Sequence, residues 1–128
     1  MPGERILVVD DDEITKRFLT SLLTDEGYEL DVAAHADQAL ELCLTHRPAL
    51  VIGELVVPCR AGALLLTALA ELEGMAGVPL VVLSLRDREE DVVRGLTAGA
   101  DDYIIKPFNA RELVVRIRKQ LDRPKVAG

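Results

Sequence analysis

Basic residues are too few in this chain to serve a polyanion. Its 15 Lys and Arg are outnumbered by 22 Asp and Glu, for a net charge of −7. That balance repels nucleic-acid phosphate and leaves no basic amphipathic anchor for a membrane surface. Cysteine is equally scarce: Cys43 and Cys59 show no metal-ligand spacing and no sign of redox chemistry. Cys43, at a helix position, is expected to be a buried small apolar residue, and Cys59, beside Pro58, a loop thiol. The stretch MPGERILVVD has neither a long apolar run nor a small-residue cleavage site, so the expected compartment is the reducing cytoplasm. The turn VVDDDEIT lacks GxGxxG and puts negative charge where a pyrophosphate needs backbone amides, which excludes dinucleotide binding. His35 and His46 lie far apart in the pattern and read as surface residues rather than ligands.

What is present fits one domain. A chain of 128 residues with 49% hydrophobic content can bury one core but not two. The domain is expected over residues 1–122, with 123–128, inside DRPKVAG, as a tail or the start of a linker. Apolar runs of strand length recur at 6–9, 30–34, 50–52, 79–83 and 103–106, separated by helical patterns. The runs ILVV, LVI and LVVL are continuous rather than alternating, as expected for parallel strands covered on both faces.

The helices carry their own marks. Ile14, Phe18 and Leu22 share one face of a segment over 13–26, stopped by Gly27, and that face is expected to enter the core. Asp87 with Glu90, and Asn109 with Glu112, have capping-box spacing, so helices are expected to start near Arg88 and Ala110. Leu40 with Leu44, Leu65 with Leu69, and Leu113 with Ile117 supply apolar pairs for the remaining contacts.

Chemistry gathers at the ends of the strands. Asp10, Asp11 and Asp12 follow the first strand, and Glu54 ends the apolar run in LVIGELVVP. In a right-handed βαβ arrangement these ends share one sheet edge. One aspartate is explained as a helix cap, but three are not. Clustered carboxylates repel unless a cation intervenes, which points to oxygen-ligated Mg²⁺ or a nearby lysine. Lys106, in Lys106-Pro107-Phe108, reaches the same edge as a plausible counter-charge, and Ser84 adds a hydroxyl.

These residues carry a resemblance. VVDDD, an acidic residue after the third strand with Pro58 four positions on, Ser84 after the fourth strand, and Tyr103 three residues before Lys106-Pro107 resemble a response-regulator receiver domain over about residues 4–121. The resemblance implies a flavodoxin-like (βα)5 doubly wound α/β sandwich whose parallel five-stranded sheet has order 2-1-3-4-5. It also implies that the residue at Glu54, an aspartate in the family, would take a phosphoryl group from a histidine kinase. Asp10 and Asp11 would form the metal-binding pair, joined around Mg²⁺ by Glu54 and by Val56 through its backbone carbonyl. Ser84 would be the switch hydroxyl, Tyr103 the aromatic switch and Lys106 the ion-pair partner, with a cis peptide bond before Pro107.

Glutamate at position 54 makes the chain an atypical, pseudo-receiver-like member. Its carboxylate stands one methylene further out, a displacement of up to about 1.5 Å, and a misplacement of ~1 Å can cost a nucleophile about 100-fold in rate. The longer side chain can contact Lys106 or Ser84 and mimic part of the phosphorylated state, although a carboxylate lacks the three terminal oxygens of a phosphoryl group. Gly53 gives it backbone freedom or close approach. Leu85, where a small residue is usual, is expected to cover the phosphoryl pocket, and Ala61 stands in Cys59-Arg60-Ala61-Gly62 where an aspartate is common.

The resulting expectation is a regulatory interaction module that works without aspartyl phosphorylation and is not an enzyme. It would meet a protein partner, an output domain or a second copy through its fourth helix, fifth strand and fifth helix, with a histidine kinase a doubtful donor. The alternative is a receiver phosphorylated by a histidine kinase at Glu54 or at a displaced acceptor, Asp10 or Asp11. A third reading takes DxD as the start of a haloacid-dehalogenase-type phosphatase, with Asp10 as nucleophile and Asp12 as acid/base. The short chain without a cap insertion counts against it.

Overall fold

Apolar strands that are continuous in sequence must be covered on both faces, and they are. The structure, a computed structural model, describes residues 3–56 and 65–123. Pro58, Cys59, the loop to Gly62 and the tail beyond Arg123 lie outside the described residues, so the expectations placed on them are not addressed. Five strands, β1 (Arg5–Val9), β2 (Glu29–Ala33), β3 (Leu50–Gly53), β4 (Leu80–Ser84) and β5 (Asp102–Ile105), alternate with α1 (Glu13–Asp25), α2 (Ala36–Thr45), α3 (Leu65–Ala70), α4 (Glu89–Thr97) and α5 (Ala110–Asp122). All strand pairs are parallel and the sheet order is β2-β1-β3-β4-β5, the order that the resemblance implied.

Successive strand residues face opposite layers. Ile6 and Val8 join Ile52, Leu83, Leu19, Leu23, Leu113 and Ile117 in the layer of α1 and α5. Leu7 and Val9 join Val51, Ala36, Ala39, Cys43, Leu65 and Leu69 in the layer of α2 and α3. Leu55, Val82, Ala100 and Tyr103 form a third cluster against which Val92 and Ala98 pack. Cys43 is buried as expected, and burial pushes its thiol up to about 11.

Three helix details differ from expectation. In α1 the stripe Ile14–Phe18–Leu22 enters the core only at Leu22, which is partly buried against it: Ile14 and Phe18 are exposed, while Leu19 and Leu23 are buried together with Lys16. The two stripes lie side by side, and Lys16 interrupts the apolar character of the true one. Its stem lies buried while the ammonium reaches out to Glu13 at 2.6 Å. In α2 the small residues Ala36, Ala39 and Cys43 face the sheet, Leu40 is partly buried, and Leu44 is exposed. The capping box Asp87–Glu90 does not form, because Arg88 is the N-cap of α4 and makes no side-chain cap bond. Acidic Glu89, Glu90 and Asp91 in the first turn complement the helix dipole instead. Asn109 does cap α5, accepting from the Glu112 amide at 3.0 Å. Leu65 with Leu69, and Leu113 with Ile117, are buried as expected.

Candidate functional site

Parallel register brings the acidic residues together. Val9 lies opposite Gly53, and Gly53 opposite Val82, so β1, β3 and β4 end on one edge. Backbone bonds carry the alignment past the strands: the Asp10 amide donates to Ala33, the Glu54 amide to Val9 and the Lys106 amide to Ser84. Gly53 relieves crowding there. A Cβ on it would lie 2.9 Å from Leu65 Cδ2 and 3.1 Å from the Val9 carbonyl, so both neighbours would have to shift.

One cation serves two carboxylates. Lys106 Nζ donates to Asp10 Oδ2 at 2.9 Å and to Glu54 Oε2 at 3.2 Å. The side chains of Lys106, Asp10 and Glu54 are 11%, 3% and 16% exposed. Burial alone would pull the ammonium's pKa down, but the hydrogen bond and charge of Asp10, with the charge of Glu54, hold it above its ordinary value. The second oxygens are engaged as well: Asp10 Oδ1 accepts from the Asp12 amide at 2.9 Å, and Glu54 Oε1 from the Leu55 amide at 3.2 Å.

The three aspartates therefore separate in role. Asp10 is the buried partner of Lys106. Asp12 caps α1, accepting from the Thr15 amide and hydroxyl, and those hydrogen bonds hold its carboxyl below the usual range. Asp11 is exposed to solvent. Their oxygens are the hard donors that Mg²⁺ takes. Among the described residues, however, no group of three His, Cys, Asp or Glu is placed to hold a metal. Lys106 draws one oxygen each from Asp10 and Glu54, while Asp11 is exposed. Val56, whose carbonyl was the further expected donor, has an exposed side chain.

The two residues expected to form the switch, Ser84 and Tyr103, lie close together. Ser84 is fully buried at the end of β4, and its Oγ accepts from the Arg86 amide at 3.1 Å. Tyr103 is buried with its ring inward, and its hydroxyl donates to the Arg86 carbonyl at 2.7 Å. Burial pushes the phenol above its ordinary range. The Lys106–Pro107 bond is cis. Leu85, the first residue past the end of β4, is 71% exposed.

Two participants were not legible beforehand. The backbone of Arg86 links Ser84, through its amide, to Tyr103, through its carbonyl, which no side-chain pattern announces. Gly95, inside α4, lies against the Tyr103 ring; a glycine within a helical run was the available signal. His35 serves as the N-cap of α2, accepting from the Gln38 amide, and His46 lies at the other end of that helix, 3.7 Å from Asp31.

Residues 6–118 match the family model for the response regulator receiver domain. The chain is 42% identical over 120 residues to the DNA-binding response regulator MtrA of Mycobacterium leprae, covering 94% of this chain and 52% of that protein. It is 40% identical over 116 residues to the transcriptional regulatory protein DltR of Streptococcus agalactiae, covering 89% of this chain and 50% of that one. The chain thus spans about half the length of the curated relatives it matches. Among solved structures, a response regulator from Desulfuromonas acetoxidans superposes with a TM-score of 0.85 at 30% identity, over 92% of this chain and 96% of that one. A CheY-like receiver domain protein from Methanospirillum hungatei gives 0.82 at 30%, over 94% of each chain.

Proposed function

Because the chain belongs to the response regulator receiver domain family, we propose that it is a two-component receiver in which Glu54 replaces the phosphoacceptor and regulation proceeds without aspartyl phosphorylation. The observation that carries this reading is the 3.2 Å contact from Lys106 Nζ to Glu54 Oε2. A glutamate at the acceptor position has its charge already spent on the lysine that would otherwise help receive a phosphoryl group. Its other oxygen faces the Leu55 amide, so attack on phosphorus would require breaking at least one of these contacts. The carboxylate supplies one negative charge at this edge, a partial stand-in for a phosphoryl group.

The relatives favour a second reading. MtrA is named a DNA-binding response regulator at 42% identity, and Asp10, Ser84, Tyr103 and Lys106 are the residues that the resemblance matches to the family's site. On that reading a histidine kinase is a partner and a phosphoryl group is taken up at Glu54 or at Asp10 or Asp11. Both readings share an output surface on α4, β5 and α5, where Val93, Leu96, Ile105 and Val115 are exposed. Such a face suits an output domain, a protein partner or a second copy related by C2 symmetry. With net charge −7, this chain itself is a poor ligand for DNA, so any such contact would fall to another domain. Among the described residues, no helix is long and apolar enough to cross a membrane.

Intact mass after incubation with acetyl phosphate and Mg²⁺ separates the readings. The proposal expects no phosphoryl adduct on the native chain and an adduct on Glu54→Asp. An adduct on the native chain would establish the second reading, and peptide mapping would locate the acceptor.

A further inference from the structure

Tyr103 occupies its inward position because something has been left out of the neighbouring helix. Gly95 lies in the interior of α4, where glycine weakens a helix relative to alanine. Its φ is not among the positive ones, which belong to Gly3, Gly27, Gly74, Gly77 and Gly99 among the described residues. The backbone therefore does not require glycine at position 95. Space does: a Cβ built there would lie 3.0 Å from Cδ2 and 3.0 Å from Cε2 of Tyr103, and 3.6 Å from Leu55 Cδ1. The first two separations are shorter than ordinary carbon–carbon contact.

The ring has nowhere to retreat. It is packed with Leu55, Val82 and Ala100, and Val92 and Ala98 close the cluster. Its far end is fixed by the 2.7 Å bond to the Arg86 carbonyl. A planar ring held at both ends cannot yield a few tenths of an ångström without giving up packing or that bond. The same residue, Arg86, donates its own amide to Ser84, so the position of the ring is joined to the acidic edge through one residue.

We infer that Gly95 is the positioning residue for Tyr103, its missing side chain being the space that admits the ring. The inward ring then fixes α4 against β5 and keeps the phenol off the face that carries Val93, Leu96 and Ile105. Filling the space with a methyl group ejects the ring towards that face and releases the Arg86 carbonyl. This inference does not depend on whether Glu54 accepts a phosphoryl group.

The chain has no Trp and two Tyr, so in a Tyr28→Phe background tyrosine emission reports Tyr103 alone. Iodide quenching of that emission is expected to be weak with Gly95 and several-fold stronger after Gly95→Ala. Thr97→Ala, at an exposed site of the same helix, is expected to leave quenching unchanged. Thermal unfolding supplies an independent reading: Gly95→Ala lowers Tm when Tyr103 is present and raises it in a Tyr103→Ala background, where the better helix former meets no ring. Quenching unaltered by Gly95→Ala, or a Tm change of the same sign in both backgrounds, overturns the inference.

Discussion

One cation meets two carboxylates at each end of β1, and the two arrangements have different meanings. At the strand's start, Arg5 pairs with Glu29 and Asp31 at 3.1 Å each, with side chains 28%, 62% and 16% exposed. Just beyond its end, Lys106 pairs with Asp10 and Glu54, with side chains 11%, 3% and 16% exposed. Arg5 and Glu29 are direct neighbours in register, so that contact joins adjacent strands at the surface, where an ion pair contributes about 0–1 kcal/mol. The Lys106 group draws together three separate strand ends out of water. There the pairing is obligatory, because each ion left without its partner would be buried and uncompensated. Equal stoichiometry thus conceals unequal consequence.

The difference is most sharply tested by removing each cation. Lys106→Met is expected to lower unfolding free energy by about 3–5 kcal/mol, since it strands two carboxylates, whereas Arg5→Met should cost no more than about 1 kcal/mol. Urea denaturation of both variants measures the pair, and equal losses would abolish the distinction. Gly53→Ala disturbs only the buried end. Its Cβ would meet Leu65 and the Val9 carbonyl, and overpacking of this kind costs about 1–3 kcal/mol, again read by urea denaturation.

Alkaline titration distinguishes the ends next. The folded pKa of Lys106 is raised above its ordinary 10.5, so its contribution is present in full below that ordinary value and is lost as pH rises through the folded one. Stability of the parent should therefore decline faster in that window than stability of Lys106→Met, as followed by urea midpoints at stepped pH. The smallest effect is that of salt. At about 1 M the Debye length is ~3 Å, so the cost of Arg5→Met should vanish while that of Lys106→Met persists, as measured by denaturation at two ionic strengths.

The sequence announces the buried group better than it announces what surrounds it. Asp10, Glu54 and Lys106 each end an apolar run, and strand ends of a parallel sheet meet at one edge, so their convergence follows from pattern alone. The strand order came from the family resemblance, because periodicity sets which faces are buried but not which strand lies beside which. Periodicity also failed to choose between the adjacent stripes of α1, since the buried one contains Lys16 and the other, of which only Leu22 is partly buried, is uniformly apolar. Phe18 stays partly outside while packing edge-on to Phe108 at 5.6 Å. The Ser84–Arg86–Tyr103 linkage ran through backbone atoms, which every residue possesses and no sequence pattern marks.

The central claim is that Glu54 is a standing partner of Lys106 rather than a free acceptor. A double-mutant cycle on unfolding free energy with Glu54→Ala, Lys106→Met and the double variant tests it most directly. Coupling above about 1 kcal/mol is predicted, because relieving one stranded carboxylate should offset part of the loss of the lysine. Additivity within about 0.3–0.5 kcal/mol would contradict the claim and leave Glu54 free for other chemistry.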